Sequence, residues 1–448
     1  MALVGARSSN KPQDELRRAV LAVLCRSDVI VRQSLRQFTL RDWEHSYSWL
    51  DASGLALYLY DALIAQHMEG SVPYKVLERL HQNLSDNKLR TSALFEEAIR
   101  LNETFRKNGL RYLNFKGFTL APSFCPDPLL RNQVDLDFLV PFKEAERCRE
   151  VLLDLGYRVA KGAEAFLEFE KVEFRRVEFK KGEERPPDIA DLYKPRAERS
   201  VEAHFIYGEY NEKYGVSEAS FGRSVMHPWS GYDFVSLSDA DVFLAQAVHL
   251  FRHLQSEWTR VSWLLEFRNA VEARYHDRVF WIELREANHA VSAAVRALGI
   301  TLAFAKLIFG DFAPRQLTEW TIETLPERLR VWIQGYGMRL LLADFPGTKL
   351  FLLLQEELGL GNKQERLRKL FPVHRPPSVT LTQSSSAPAR LSAAIAELRF
   401  SAFRFQFHAL ETPRYLVEVR RWRKFAAEWE SRRRSSENAD RSCVSYRV

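Results

Sequence analysis

Apolar residues recur at spacings of three and four through Asp14–Arg26, Tyr47–Gln66 and Tyr74–Asn108, the spacing of one helical face. The pattern predicts a helical region over 1–109, stopped at Gly109. A stripe of this kind packs a helix onto a core and points to no chemistry. At Leu110 the period changes. LRYLNFKG reads as a short strand closed by Gly117, FTLAPSFC as a short helix, and CPDP as a turn. Gln133–Val140 is a second strand. Lys143–Leu155 then places Ala145, Cys148, Leu152 and Leu155 on one helical face, Gly156 ends it, and Tyr157–Val159 is extended. Within 164–183, Val172 and Phe174, then Val177 and Phe179, alternate with charges, as in strands wet on one side. SVEAHFIYG is a further strand, with Glu202 and His204 on one face and Val201, Ala203 and Phe205 on the other.

From Ser238 the helical period returns. Ser238 or Asp239 can cap Ala240–Gln255, followed by Arg260–Arg274, Val279–Phe309 and helices to about Leu358. Proline and serine crowd 362–392, which predicts a linker or mobile loop. The last helical stretch, Leu391–Arg434, is expected to break at Pro413. Its stripe of Tyr415, Val419, Trp422, Ala426 and Trp429 predicts docking, with Arg420, Arg421, Arg423, Lys424 and Arg432–Arg434 facing solvent. The expected fold class is α+β. A small mixed sheet at 110–237 lies between helical regions at 1–109 and 238–361, and a basic helix and tail follow at 393–448.

Composition narrows the setting. A chain of 448 residues, 46% hydrophobic and 27% charged, has enough for a sizeable core in two or three domains. The net charge of +7 suits a polyanion but is too small to argue for one. Cys25, Cys125, Cys148 and Cys443 are widely spaced, which argues against a disulfide framework or structural zinc and for a reducing cytoplasm. The first residues lack the apolar core of a signal peptide. No transmembrane segment is expected, because the longest apolar stretch, 339–354, is broken by Asp344, Pro346 and Lys349.

One strand breaks the rules of a buried element. In RNQVDLDFLV, Asp135 and Asp137 project from one face while Val134, Leu136 and Phe138 take the other. Burying even an uncharged polar group without a partner costs about 2–7 kcal/mol, and two like charges repel besides. A divalent cation between them removes that cost, so the strand reads as the centre of a metal site. The plainer reading pairs them with Arg131 and Lys116. Glu202 is the third carboxylate candidate, with Glu170, Glu173, Glu178, Asp188 and Asp191 in the same interval. His249 and His253, four apart on a helix, read as a structural or substrate-contacting pair, since no third ligand accompanies them. Trp258, Trp263 and Glu266 are expected to pack the helices against the sheet.

The order KGFTL, PDPLLRNQVDLDFLV, LGY, VEAHF, HLFRH resembles a bacterial nucleotidyltransferase family with a KG, R, DxDxLV, ExH pattern, within the DNA-polymerase-β-like superfamily. The resemblance covers about 110–270 and makes 110–237 the catalytic domain. It implies transfer of NMP from an NTP to an acceptor, with release of pyrophosphate. Asp135, Asp137 and Glu202 would hold Mg2+ or Mn2+, and Lys116, Gly117 and Arg131 would bind the nucleotide. The acceptor, whether protein, RNA or small molecule, is unspecified. Where the superfamily has Gly-Ser or Gly-Gly, this chain has Gly117-Phe118. That departure supports an alternative: a degenerate, non-catalytic member that binds a nucleotide or protein as a regulator, toxin–antitoxin-like in role.

Overall fold

The computed structural model describes residues 12–25, 29–163, 165–172, 192–195, 198–208, 213–288, 292–372 and 387–444. Among these residues helices come first: α1 (Pro12–Leu24), α2 (Val29–Arg36), α3 (Leu40–Ala52), α4 (Ala56–Ala65) and α5 (Tyr74–Lys107). The middle holds β1 (Leu113–Phe115), β2 (Asp135–Pro141), α6 (Ala145–Asp154), β3 (Arg158–Ala163), β4 (Phe166–Val172), β5 (Glu198–Ile206), β6 (Val225–Trp229) and β7 (Tyr232–Ser236). Helices resume with α7 (Asp239–Leu254), α8 (Val261–Ala273), α9 (Arg278–Asn288), α10 (Ser292–Phe309), α11 (Arg315–Thr318) and α12 (Glu327–Leu341). The chain ends in α13 (Leu350–Glu357), α14 (Lys363–Arg368) and α15 (Ala387–Val444). The fold is α+β, with a mixed sheet between helical regions, as the periodicity predicts.

Among the described residues, seven strands lie in the order β3-β4-β5-β2-β1-β7-β6. β2 runs parallel to β5 and antiparallel to β1, and β1 runs parallel to β7. Alternation gives the sheet two unlike faces. Leu136, Phe138 and Val140 of β2, with Val201, Ala203 and Phe205 of β5, join Leu94, Leu101 and Phe105 of α5 and Cys148 and Leu152 of α6 in one apolar core. On the other face, Leu139 and Ile206 pack with Leu113, Phe115 and Ala245 of α7. Apolar cover on that face sits at the C-terminal ends of β2 and β5. The same face carries Asp135 and Asp137 in the first half of β2, and Glu202 and His204 in the middle of β5, His204 in register with Leu139.

α5 is a single helix. Its C-terminus is closed by a left-handed Gly109 (φ +62°), with Leu110 N–H donating to Phe105 O at 3.0 Å. Ser238, of the two expected caps, closes the N-terminus of α7 by accepting from Asp241 N–H. β6 and β7 form a hairpin that the hydrophobic pattern alone does not announce. Its signal is Ser230-Gly231, both with positive φ (46° and 80°), the two-residue turn that matches strand twist.

The expected break at Pro413 does not occur, and α15 runs through it. Proline removes one helical donor, but contacts on both sides hold the helix. Arg404 pairs with Glu257 at 2.6 Å, Thr412 Oγ1 donates to Leu370 O, Trp422 Nε1 donates to Glu357, and Arg328 pairs with Glu430. Tyr415, Val419, Trp422 and Ala426 are buried, as the stripe predicts. Within 362–392, Lys363–Arg368 are helical and α15 begins at Ala387, while 373–386 lie outside the described residues. Among the described residues no helix is long and apolar enough to cross a membrane.

Candidate active site

Register decides which acids meet. Asp135 pairs across β2–β5 with Ser200, and Asp137 with Glu202. Across β4–β5, Glu202 faces Glu168 and Ser200 faces Glu170. Asp137 and Glu202 are therefore direct neighbours on parallel strands, with Asp135 one step along the same face. Of the competing acids, Glu170 is a strand further out, 3.8 Å from Arg158. Glu173, Glu178, Asp188 and Asp191 lie outside the described residues.

The sequence leaves His204 open between supporting a ligand and bonding to backbone. Its Nε2 lies 2.8 Å from Asp137 Oδ1 and 3.4 Å from Glu202 Oε2, and its Nδ1 lies 3.0 Å from Tyr214 Oη. An ionised Asp137 can only accept, so Nε2 carries the proton and Nδ1 accepts from the tyrosine hydroxyl. Ligand atoms of Asp137, Glu202 and His204 all lie within 4.8 Å of one another, close enough to share a cation.

Charge is in surplus here. Burial alone would raise the Asp137 carboxyl, but Lys116, whose Nζ is 3.0 Å from Oδ1, and His204 overcome it and hold the group low. Asp135 is pushed up to about 6 by burial and then by the Asp137 charge. Glu202 is pushed up to about 8 by burial and by both aspartates. Burial lowers His204, keeping it neutral. The structure brings Asp137, Glu202 and His204 together as a group able to hold a cation, while Asp135 lies one step along the same face and outside that 4.8 Å group.

Lys116 sits in unusual backbone, at φ 61° and ψ −150°, a region costing a non-glycine residue about 1–3 kcal/mol. The strain turns the chain from β1 and aims the ammonium back at Asp137. Gly117 follows at φ +54°, and a Cβ there would lie 2.5 Å from Gln133 Nε2, which donates to Asp135 O. The loop thus lies directly against the strand bearing Asp135. Phe118, the departure from the superfamily pattern, is buried, stacked on Phe234 at 6.0 Å and edge-on to Phe95. It anchors the loop in the core.

Arg131 is placed differently from Lys116. Its Nε donates to both oxygens of Glu266 at 3.2 Å, and Tyr58 Oη donates to the same carboxylate at 2.9 Å. Burial works against the guanidinium charge, yet Glu266 more than offsets it. The knot ties the entry of β2 to α4 and α8, and Arg131 is near enough to Asp135 to favour its ionised form. Glu266 packs helix against sheet, as expected, through this ion pair.

Other groups reach the site from outside the motif. Lys213 lies near Glu202 and Lys116, with its ammonium 4.7 Å from the Tyr214 ring, and its backbone carbonyl accepts from Arg252. Arg260 donates to Asn132 O at 3.2 Å and acts on Asp135. Only tertiary structure brings these in, and spacing carries no signal for them.

A family model described as an uncharacterised nucleotidyltransferase matches residues 39–310. The chain belongs to this family. The match runs from α3 to the end of α10, so it takes in helices on either side of the sheet as well as the 110–270 stretch that carries the motifs. None of the curated proteins matches the chain. Family membership makes a nucleoside triphosphate the implied substrate class and transfer the implied chemistry.

Proposed function

We propose that this protein is a metal-dependent nucleotidyltransferase that moves NMP from an NTP to an acceptor and releases pyrophosphate. The observation that carries the reading is the meeting of Asp137, Glu202 and His204 within 4.8 Å, with Asp135 on the same face. Asp135, Asp137 and Glu202 would hold Mg2+ or Mn2+, with His204 orienting Asp137 from behind or taking a ligand position itself. The ion would supply charge neutralisation at the transferred phosphorus. Lys116 leaves Asp137 to meet a phosphate oxygen, and Gly117 lets the backbone approach closely. Arg131, anchored through Nε, offers its terminal nitrogens to the same phosphates. The nucleophile's bond to the α-phosphorus forms as the α–β bridging P–O bond breaks. Pyrophosphate leaves with that electron pair, and Glu202 orients or deprotonates the attacking group.

A second reading rests on Phe118 standing where the superfamily places Ser or Gly, and on Lys116 occupying Asp137. It makes the protein a degenerate member that binds a nucleotide or partner protein as a regulator, toxin–antitoxin-like in role. Calorimetry with ATP, GTP, CTP and UTP, together with pyrophosphate release, separates the two. The enzyme reading requires Mg2+-dependent binding and pyrophosphate release that Asp135→Asn/Asp137→Asn abolishes. Binding without release supports the regulator, and no binding of any NTP refutes the nucleotide site.

A further inference from the structure

Across from the carboxylate strand stands a cluster that the proposed chemistry does not use. His249 and His253, one turn apart on α7, lie 4.5 Å apart between ring centroids. Trp263, in the first turn of α8, lies 4.9 Å from His249 and 4.5 Å from His253. The Arg260 guanidinium sits over the indole at 5.5 Å and bonds to Asn132 O, three residues before Asp135. All four side chains are half-buried, whereas Leu250, Leu254 and Leu264 on the same helices are fully buried. Each member of the cluster is thus only partly covered by its neighbours.

Its position is fixed by what it feels. His249 lies within electrostatic reach of Lys116, Asp137 and Arg131, and Arg260 within reach of Asp135 and Arg131. Burial pushes His253 down to about 4 and His249 well down, so both imidazoles are neutral at ordinary pH. Neutral imidazoles make poor phosphate ligands in a site already supplied with Lys116, Arg131 and Arg260. They offer one donor and one acceptor each, and flat faces. Three aromatic rings beside a guanidinium form the kind of surface on which a base stacks.

We propose that His249, His253 and Trp263, with Arg260 over the indole, receive the nucleobase of the triphosphate whose phosphates the Lys116–Asp137 strand pair takes. The inference rests on the nucleotidyltransferase reading and adds the part of the substrate that this cluster recognises. The phosphates and the base would then be bound by separate elements, the sheet and the α7–α8 pair.

The test compares Mn2+ complexes of the four NTPs with Mn2+ tripolyphosphate, which lacks a base, by titration calorimetry. The wild-type protein is expected to bind at least one NTP more tightly than tripolyphosphate. Trp263→Ala should weaken that NTP about 10- to 100-fold and leave tripolyphosphate unchanged. Trp263→Phe should keep part of the preference. Where Trp263→Ala loses tripolyphosphate as well, His253→Ala and Trp263→Phe decide by the same ratio. An unaltered NTP-to-tripolyphosphate ratio overturns the base site and leaves the phosphate site standing, including where transfer to an acceptor is lost. Failure of the wild-type protein to bind either ligand overturns the underlying reading itself.

Discussion

Asp135, Asp137 and Glu202 share one patch of the sheet, and their proton affinities set a pH response. The native protein holds protons on Asp135 to about 6 and on Glu202 to about 8, against ordinary values of 3.8 and 4.5. For these two groups the native state binds protons more tightly than the unfolded one. Their contribution to stability is therefore greatest below the ordinary values and is lost as pH rises through 6 and 8. Asp137, held low, has the opposite sign and loses its contribution only as pH falls below its ordinary value of 3.8. Metal must displace the same protons. Thermal unfolding should show stabilisation by Mn2+ growing from pH 5.5 to pH 8.5, with none in Asp135→Asn/Asp137→Asn. Stabilisation independent of pH, or retained in the variant, would count against these acids as the ligands. Gly117→Ala is a second test at this scale. Its φ of +54° and the 2.5 Å approach to Gln133 should cost about 1–2 kcal/mol in urea unfolding. A neutral result would show that the loop relaxes without using this conformation.

Elements explain what joins the site to the rest. The Arg131–Glu266 pair is buried, with side chains 12% and 4% exposed. Removing one partner leaves an uncompensated buried charge. Glu266→Ala should cost about 3–5 kcal/mol, and Arg131→Met/Glu266→Met should recover much of it. Equal losses in both would mean that the ion pair is not the source of the cost. In α15, Pro413 removes the donor that would meet the carbonyl four residues back, and tertiary contacts carry the helix past it. Pro413→Ala should raise stability by about 1–3 kcal/mol, read as an upward shift in unfolding midpoint. Unchanged stability would mean that the helix is already relieved of the proline's cost. The same element shows where sequence reading stops. Propensity announces a break at Pro413, and contacts through Arg404, Thr412 and Trp422 override it. The β6–β7 hairpin fails in the other direction, because Pro228 and short strands hide a turn that Ser230-Gly231 does mark.

Over the whole molecule, legibility follows distance along the chain. The Asp135–Asp137 pair is legible because strand alternation forces same-face placement within one short segment. Glu202 becomes distinct from its rivals only through the β2–β5 register, which no spacing states. His204 is visible as Glu202's neighbour, but its bonds to Asp137 and Tyr214 are not. Lys213 and Arg260 have no local signature, since tertiary packing alone brings them to the site, and Trp263 is legible as a packing residue but not as the neighbour of His249 and His253. The α+β class survives because each region has a clean period, whereas the site draws residues from several regions. What the molecule does with that site is decided most directly by following two labels. NTPs carrying label at the α- or γ-phosphorus are incubated with Mn2+, the protein, and protein, RNA and small-molecule fractions as acceptors. The account predicts α-label joined covalently to an acceptor or to the protein, γ-label recovered in pyrophosphate, and no transfer by Asp135→Asn/Asp137→Asn. Transfer of γ-label, or equal α-labelling by the variant, would contradict it.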